Sequence, residues 1–228
     1  MAKTEHYFTR FEEGKYYHVY NRSVDRKPMF FNDGNYEFFL KKYNTYLSPV
    51  IDTNAYCLMG NHFHLLMRVR NQLDLTIFLQ QQHSASSYKM LSNLQLQQPL
   101  PIHDIVSHQF QKFFQSYAMA FNKQRDRIGT LFQTPLKRAL IEEQTDLARV
   151  ILYIHANPQE HEIKKDFRDW KWSSYERMLL DKPTQLKKAE TLNLFGGKDA
   201  YLQAHLDKYN QIKVQKSFIQ DRLYLEDD

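Results

Sequence analysis

The segment that most constrains the fold runs over residues 104–127, an unbroken helical pattern. Val106, Phe110, Phe113, Phe114, Tyr117 and Phe121 fall on one face, while Lys112, Lys123, Arg125 and Arg127 lie elsewhere. A face so rich in aromatic rings needs a second layer to cover it. Other parts of the chain alternate in the manner that supplies one. Residues 15–22 (KYYHVYNR) read as a strand, and 50–58 and 63–69 as two more joined through Met59-Gly60-Asn61, a hairpin signal. Residues 136–142 are a fourth, shorter strand candidate.

Helical patterns separate these strands. Asn32-Asp33-Gly34-Asn35 is a turn and helix-start signal for a helix over 36–47, which Pro49 ends. Residues 73–94 lack Gly and Pro and have helical spacing, and 95–101 (QLQQPLP) reads as a loop. Thr145 is a candidate cap for a helix running to Asn157, where Pro158 is expected to stop it. The order strand, helix, strand, strand, helices, strand, helix suggests an α+β sandwich with a small, mainly antiparallel sheet covered on one side.

Composition narrows the class. The chain has 228 residues, of which 42% are hydrophobic, enough for one good core. No apolar run approaches the roughly 20 residues that cross a bilayer. The start, Met1 to His6, lacks the apolar stretch of a signal peptide, and the single Cys57 cannot form an internal disulfide. These features predict a cytoplasmic protein with no membrane partner. The net charge of +5 favours a polyanionic partner only mildly. Aromatic residues make up 14% of the chain, and bases of an unpaired strand can stack on such rings.

Two constellations carry chemistry. In His62-Phe63-His64, residues two apart on a strand project from one face, so both imidazoles point one way and Phe63 the other. Such a pair is the start of a divalent metal site that needs a third ligand and open positions. The apolar run Leu65-Leu66-Met67 that follows makes this strand core-like, so the polar rings within it need partners. In the second constellation, Leu147, Val150, Ile151 and Ile154 form a stripe that packs on the sheet, with Tyr153 and Asn157 four apart on its flank. The phenol oxygen is a nucleophile once ionised, and the amide oxygen is a hard metal ligand.

Taken together, these residues resemble the HUH-type single-tyrosine transposases, most closely the REP-associated tyrosine transposases. The resemblance rests on Gly60-Asn61-His62-Phe63-His64-Leu65-Leu66, on Tyr153-Ile154-His155-Ala156-Asn157-Pro158, and on the opening Tyr17-His18-Val19-Tyr20-Asn21-Arg22 with Met29-Phe30-Phe31. Gly129-Thr130-Leu131-Phe132-Gln133 and Trp172-Ser173-Ser174-Tyr175 complete it, over roughly residues 14–178. The resemblance implies a ferredoxin-like fold in a catalytic domain over 1–180; a helical insertion around 73–127 and a helical extension over 181–228 are read as this chain's departures from a minimal member. It also implies Mg²⁺ or Mn²⁺ on His62, His64 and Asn157, and attack by Tyr153 on single-stranded or hairpin DNA. The products are a 5′-phosphotyrosine and a free 3′-hydroxyl, which a second 3′-hydroxyl reverses.

Asn157 stands where many relatives have Gln, which demands closer approach of helix to metal. Zinc fits two histidines and a third ligand almost as well. Arg22, Lys112, Arg125, Arg127, Lys137 and Arg138 are candidate phosphate contacts, and Trp172 a candidate base-stacking ring. A homodimer is compatible with the resemblance. Two other readings stay open: a non-catalytic module binding structured nucleic acid, and a metal-dependent phosphodiesterase using water.

Overall fold

The computed structural model describes residues 9–85 and 100–225. Four strands, β1 (Tyr16–Arg22), β2 (Ile51–Leu58), β3 (His62–Val69) and β4 (Lys137–Ile141), form one sheet in the order β2-β3-β1-β4, with every neighbouring pair antiparallel. Helix α1 (Asp33–Tyr46) crosses from β1 to β2. The path from β3 to β4 runs through α2 (Gln72–Ala85) and α3 (Ile102–Gln124). This βαββαβ path with its strand order is the ferredoxin-like arrangement. The patterned helix anticipated within an insertion is thus the second crossover helix of the fold itself. The predicted helix beyond Ala85 and most of the 95–101 loop lie outside the described residues.

Strand pairing follows the pleat. Tyr17, Val19, Phe63, Leu65 and Met67 point to one face and are buried under α1 and α3. Phe113 packs edge-on against Phe39 with ring centroids 4.8 Å apart, and Tyr117 donates its hydroxyl to Met29 O at 2.7 Å. The aromatic stripe therefore fills the core. Asn32 caps α1 by accepting from the Asn35 N–H, as the sequence signals.

The sheet is covered on both faces, not one. On the second face α4 (Gln144–Glu160) packs against β2 and β3 with Leu147, Ile151 and Ile154 buried. Behind it lie α5 (Tyr175–Leu179), α6 (Lys188–Phe195) and α7 (Lys198–Leu225). Helix α4 begins at Gln144 after Glu143, which makes no side-chain cap, so Thr145 is inside the helix. Pro158 is also inside it. The helix continues to Glu160 because Pro158 costs only one backbone donor near the end, and His161 N–H still bonds Asn157 O at 2.9 Å. Among the described residues no helix is long and apolar enough to cross a membrane.

A buried polar chain ties α4 to α7. His205 Nδ1 lies 2.7 Å from Tyr201 O, so it must donate there, leaving Nε2 as an acceptor. His155 Nδ1 therefore donates to His205 Nε2 at 2.9 Å, and His155 Nε2 accepts from the Ser174 hydroxyl at 2.7 Å. Ser174 Oγ in turn accepts the Tyr56 N–H of β2 at 2.8 Å. The two links in which a ring nitrogen accepts, into His205 Nε2 and into His155 Nε2, require neutral imidazoles. Burial lowers the His155 pKa far below 6.5 and brings His205 down to about 4.

This chain makes stability pH-dependent. As pH falls below about 6.5 the unfolded histidines take up protons that the folded ones refuse, so stability is full above that value and declines towards pH 4. The urea midpoint is expected to fall steadily from pH 7.5 to pH 4.5. His205→Ala, which strands the His155 donor, should lose about 1–3 kcal/mol at pH 7.5 and show a shallower pH slope. Equal midpoints for both proteins at both pH values would contradict the relay.

Candidate active site

The site begins with the register of β1 on β3. Tyr20 stands opposite His64 and Arg22 opposite His62, so these four side chains share one pleat face, opposite the core formed by Phe63 and Leu65. Both histidines are buried, each 7% exposed. At this end of the second face the covering helices leave a cavity of about 310 Å³, walled by the four β1–β3 residues together with Lys137 and Tyr153.

Hydrogen bonds fix which imidazole nitrogens face the cavity chemistry. Asn61 donates from Nδ2 to Arg26 O at 2.7 Å, which turns its Oδ1 to His62 Nδ1 at 2.7 Å. His62 Nδ1 is therefore the donor, and Nε2 keeps its lone pair. His64 Nδ1 lies 3.0 Å from His18 Nε2, and the tautomer in which His64 donates leaves its Nε2 free in the same way. His18, Tyr20 and His64 stack, with centroids 5.2–5.6 Å apart. Burial is the main reason the pKa of His62 falls to about 4, with Arg22 and His161 adding to it. His64 lies well below its usual value for the same first cause, with His18 and His62 contributing. Both imidazoles are thus neutral at physiological pH.

The stripe that anchors α4 leaves Tyr153 on its flank. Its ring meets His64 and His18 edge-on at 5.6 and 5.7 Å, and the residue is 41% exposed towards the cavity. Burial raises the phenol pKa, and the neighbouring Asn157 side chain acts in the opposite direction. Asn157 itself is fully buried. Its Nδ2 donates to Tyr153 O at 2.7 Å, and its Oδ1 is buried without a hydrogen-bond partner among the described residues.

An unpartnered buried amide oxygen costs free energy, and a hard cation would satisfy it. Two neutral imidazoles and an amide oxygen are a donor set suited to an oxygen-preferring divalent ion, but of the three only His62 and His64 line the cavity, and Asn157 lies buried behind Tyr153 outside that lining. Among the described residues no three His, Cys, Asp or Glu side chains are grouped to hold a metal. A closed structural zinc site, which requires four protein ligands, is not built from those residues.

The candidate DNA contacts divide. Arg22 and Lys137 line the cavity, with Lys137 Nζ 5.9 Å from the Tyr20 ring centre. Arg138, on the other pleat face of β4, donates to Thr9 O at 2.6 Å and lies over Phe11. Arg127 donates to Thr130 O and Asn122 Oδ1 and so braces its own loop. The Arg125 guanidinium sits 3.6 Å from the centre of the Phe31 ring. Lys112, half-buried on α3, is not among the residues that line the cavity. Trp172 is buried and stacks on Tyr36 at 4.4 Å, which leaves no ring face for a base.

Sequence reasoning missed His18 and His161. His18 sits two residues before Tyr20 in the alternating β1 pattern, a readable signal. His161 follows Pro158, where the helix was expected to have ended. It lines the cavity 5.4 Å from the His62 ring.

Fold and site together define a ferredoxin-like α+β protein with a half-exposed tyrosine above a histidine pair on a central strand. No protein-family model matches the chain, and neither does any curated protein. Among solved structures, a REP-associated tyrosine transposase bound to a REP hairpin is similar at 14% identity and a TM-score of 0.48, covering 76% of this chain and 84% of that one.

Asn61 orients His62, so if the histidine pair holds a divalent cation, Asn61→Ala should lower Mn²⁺ affinity about 10- to 100-fold while circular dichroism stays unchanged. Counting free Mn²⁺ by electron paramagnetic resonance measures this. Equal affinities in the two proteins would show that the Asn61–His62 bond does not serve a metal.

Proposed function

We propose that this protein is a transposase-like enzyme that cuts and rejoins single-stranded DNA through Tyr153, at hairpin-forming sequences. The observation that carries the reading is the half-exposed Tyr153 phenol set edge-on over His64, in a cavity that also holds His62, Arg22 and Lys137. The five motifs shared with the HUH-type single-tyrosine transposases support the same reading, and the hairpin preference rests on that resemblance.

The chemistry follows from the residues. Arg22 and Lys137 bring positive charge to a cavity sized for a phosphodiester and hold its non-bridging oxygens. Tyr153 Oη attacks the phosphorus, the bond from phosphorus to the 3′-oxygen breaks, and the phenolic proton ends on the departing 3′-hydroxyl. The protein is left joined to the 5′-phosphate. Because the phosphodiester energy is kept in that link, a second 3′-hydroxyl can reverse the step without a nucleotide cofactor. A divalent cation on His62 and His64, with Asn157, would supply Lewis-acid stabilisation of the charge that develops on the phosphate. Asn61 holds His62 in the tautomer that such a role requires, and His18 accepts from His64 Nδ1 in the matching His64 tautomer. Burial holds the Tyr153 phenol above its ordinary pKa, and the Asn157 side chain acts in the opposite direction.

Hairpin oligonucleotides from DNA flanking the gene, incubated with protein and Mn²⁺, should give a slower protein band carrying DNA label on a denaturing gel. Tyr153→Phe and His64→Ala should each abolish it. Cutting without an adduct would favour a water-using phosphodiesterase. Tight binding with neither cutting nor adduct would favour a non-catalytic module.

A further inference from the structure

The β1–β4 pairing continues past the end of the sheet. Gln133 N–H donates to Arg22 O at 2.8 Å, Ser23 forms an antiparallel bridge with Phe132, and Val24 N–H donates to Leu131 O at 3.0 Å. This ribbon leaves the sheet at the end where Arg22, His62 and Lys137 line the cavity. It is also fastened to the turn that orients His62. Ser23 N–H donates to Asn61 O at 3.0 Å, and Asn61 Nδ2 donates to Arg26 O at 2.7 Å. The ribbon opens into a loop over 125–130, where Ile128 is 94% exposed, more than any other large apolar side chain described. Water disfavours such a side chain, and a slack loop would fold it back. This loop is braced on both sides of it. Arg127 donates to Asn122 Oδ1 at 2.9 Å and to Thr130 O at 2.6 Å, and Asn122 Nδ2 donates to Gly129 O at 2.8 Å. Cations flank the tip. Lys123 and Arg125 precede Ile128 in the chain, Arg26 and Lys27 extend the paired strand, and all four are exposed. Arg125 is held over the half-exposed Phe31 ring. The acids in the same segments are Asp25, 3.9 Å from Lys27 in an exposed pair, and Asp126.

We propose that this tip caps the open end of a DNA hairpin stem, with Ile128 against the last base pair and Lys123, Arg125, Arg26 and Lys27 on the flanking phosphates. The inference rests on reading the protein as one that acts on hairpin DNA. Apolar side chains serve as wedges between base steps, and each step opened costs stacking. The end of a stem already exposes one face of a base pair, so a cap there avoids that cost. A single aliphatic side chain among cations suits a polyanion with an apolar end face, whereas a protein partner calls for a broader apolar patch. Gln133 lines the cavity and is five residues from Ile128, a span of no more than about 18 Å. An unpaired flank of about five stacked nucleotides, or fewer if extended, covers that length at roughly 3.4 Å each. The tip thereby marks the boundary of the duplex from which the cutting position is measured.

The test uses the full chain carrying Tyr153→Phe, so that binding is read without chemistry, and a hairpin oligonucleotide with an unpaired flank. A fluorescent 2-aminopurine is placed at each stem position in turn. The position at the open end should change its fluorescence on binding, and adding Ile128→Ser should remove that change. The same substitution should weaken hairpin binding on the order of 10-fold, while binding of the flank alone and the salt dependence stay unchanged. Arg125→Ala should instead lower the slope of log affinity against log salt by about one. If Ile128→Ser has no effect on the hairpin while the wild-type protein still forms its Tyr153 adduct, the cap is overturned and the cleavage reading stands. An equal loss on hairpin and flank would also overturn it, because the tip would then be a general strand contact. Ile128-dependent binding to phosphatidylserine vesicles, with hairpin binding unaffected, would assign the tip to a lipid surface instead. Absence of both adduct and hairpin binding would remove the reading and the cap together.

Discussion

The two-residue pleat of β3 is the constraint on which the rest depends. Phe63, Leu65, Met67 and Val69 are buried beneath α1 and α3. Their burial fixes His62 and His64 on the other face, because a slip of one residue would exchange the two sets. The antiparallel partner β1 is bound by the same rule, with Tyr17 and Val19 in the core and His18, Tyr20 and Arg22 beside the histidines. A hydrophobic core on one face thus places a polar site on the other. Fully burying each large apolar side chain contributes about 1.5–3 kcal/mol. Several such residues on β1 and β3 offset the cost of holding polar rings in a buried setting.

That cost is met by pairing. His18 with His64, Asn61 with His62, and His155 with His205 and Ser174 are all imidazole contacts, and those in which a ring nitrogen accepts require that ring to be neutral. Burial keeps the His18 pKa down at about 4, as it does for His62 and His205. The His155 chain also has a mechanical consequence. It sits on α4 between Tyr153 and Asn157, and it bonds that helix to α7 on one side and, through Ser174, to β2 on the other. The helix carrying the candidate nucleophile is therefore held both by its apolar stripe and by a directional polar bond.

Much of this was readable from local pattern. The alternation of β1 and β3, the aromatic stripe of α3 and the anchoring stripe of α4 each depend on neighbours a few residues apart. The His-x-His pair and Tyr153 stood out for the same reason. What escaped depended on contacts distant in sequence. His18 meets His64 across 46 residues, and His155 meets His205 across 50. The burial of Asn157 follows from helices packed behind α4, and α7 shows little periodic signal of its own to announce that packing. Pro158 misled because its effect depends on position: near a C-terminus the lost donor matters little, so the helix runs on and delivers His161 to the cavity. The fates of Arg127, Arg138 and Trp172 turned on backbone carbonyls and rings that only the tertiary fold brings near.

The most direct test of the account is an anomalous difference map from crystals of the Tyr153→Phe protein with Mn²⁺ and a hairpin oligonucleotide. The account predicts one Mn²⁺ peak contacting Nε2 of both His62 and His64, with a DNA phosphate oxygen on the ion and the aromatic ring at position 153 directed at that phosphorus. A phosphate bound elsewhere, or a metal that does not touch both imidazoles, would contradict it.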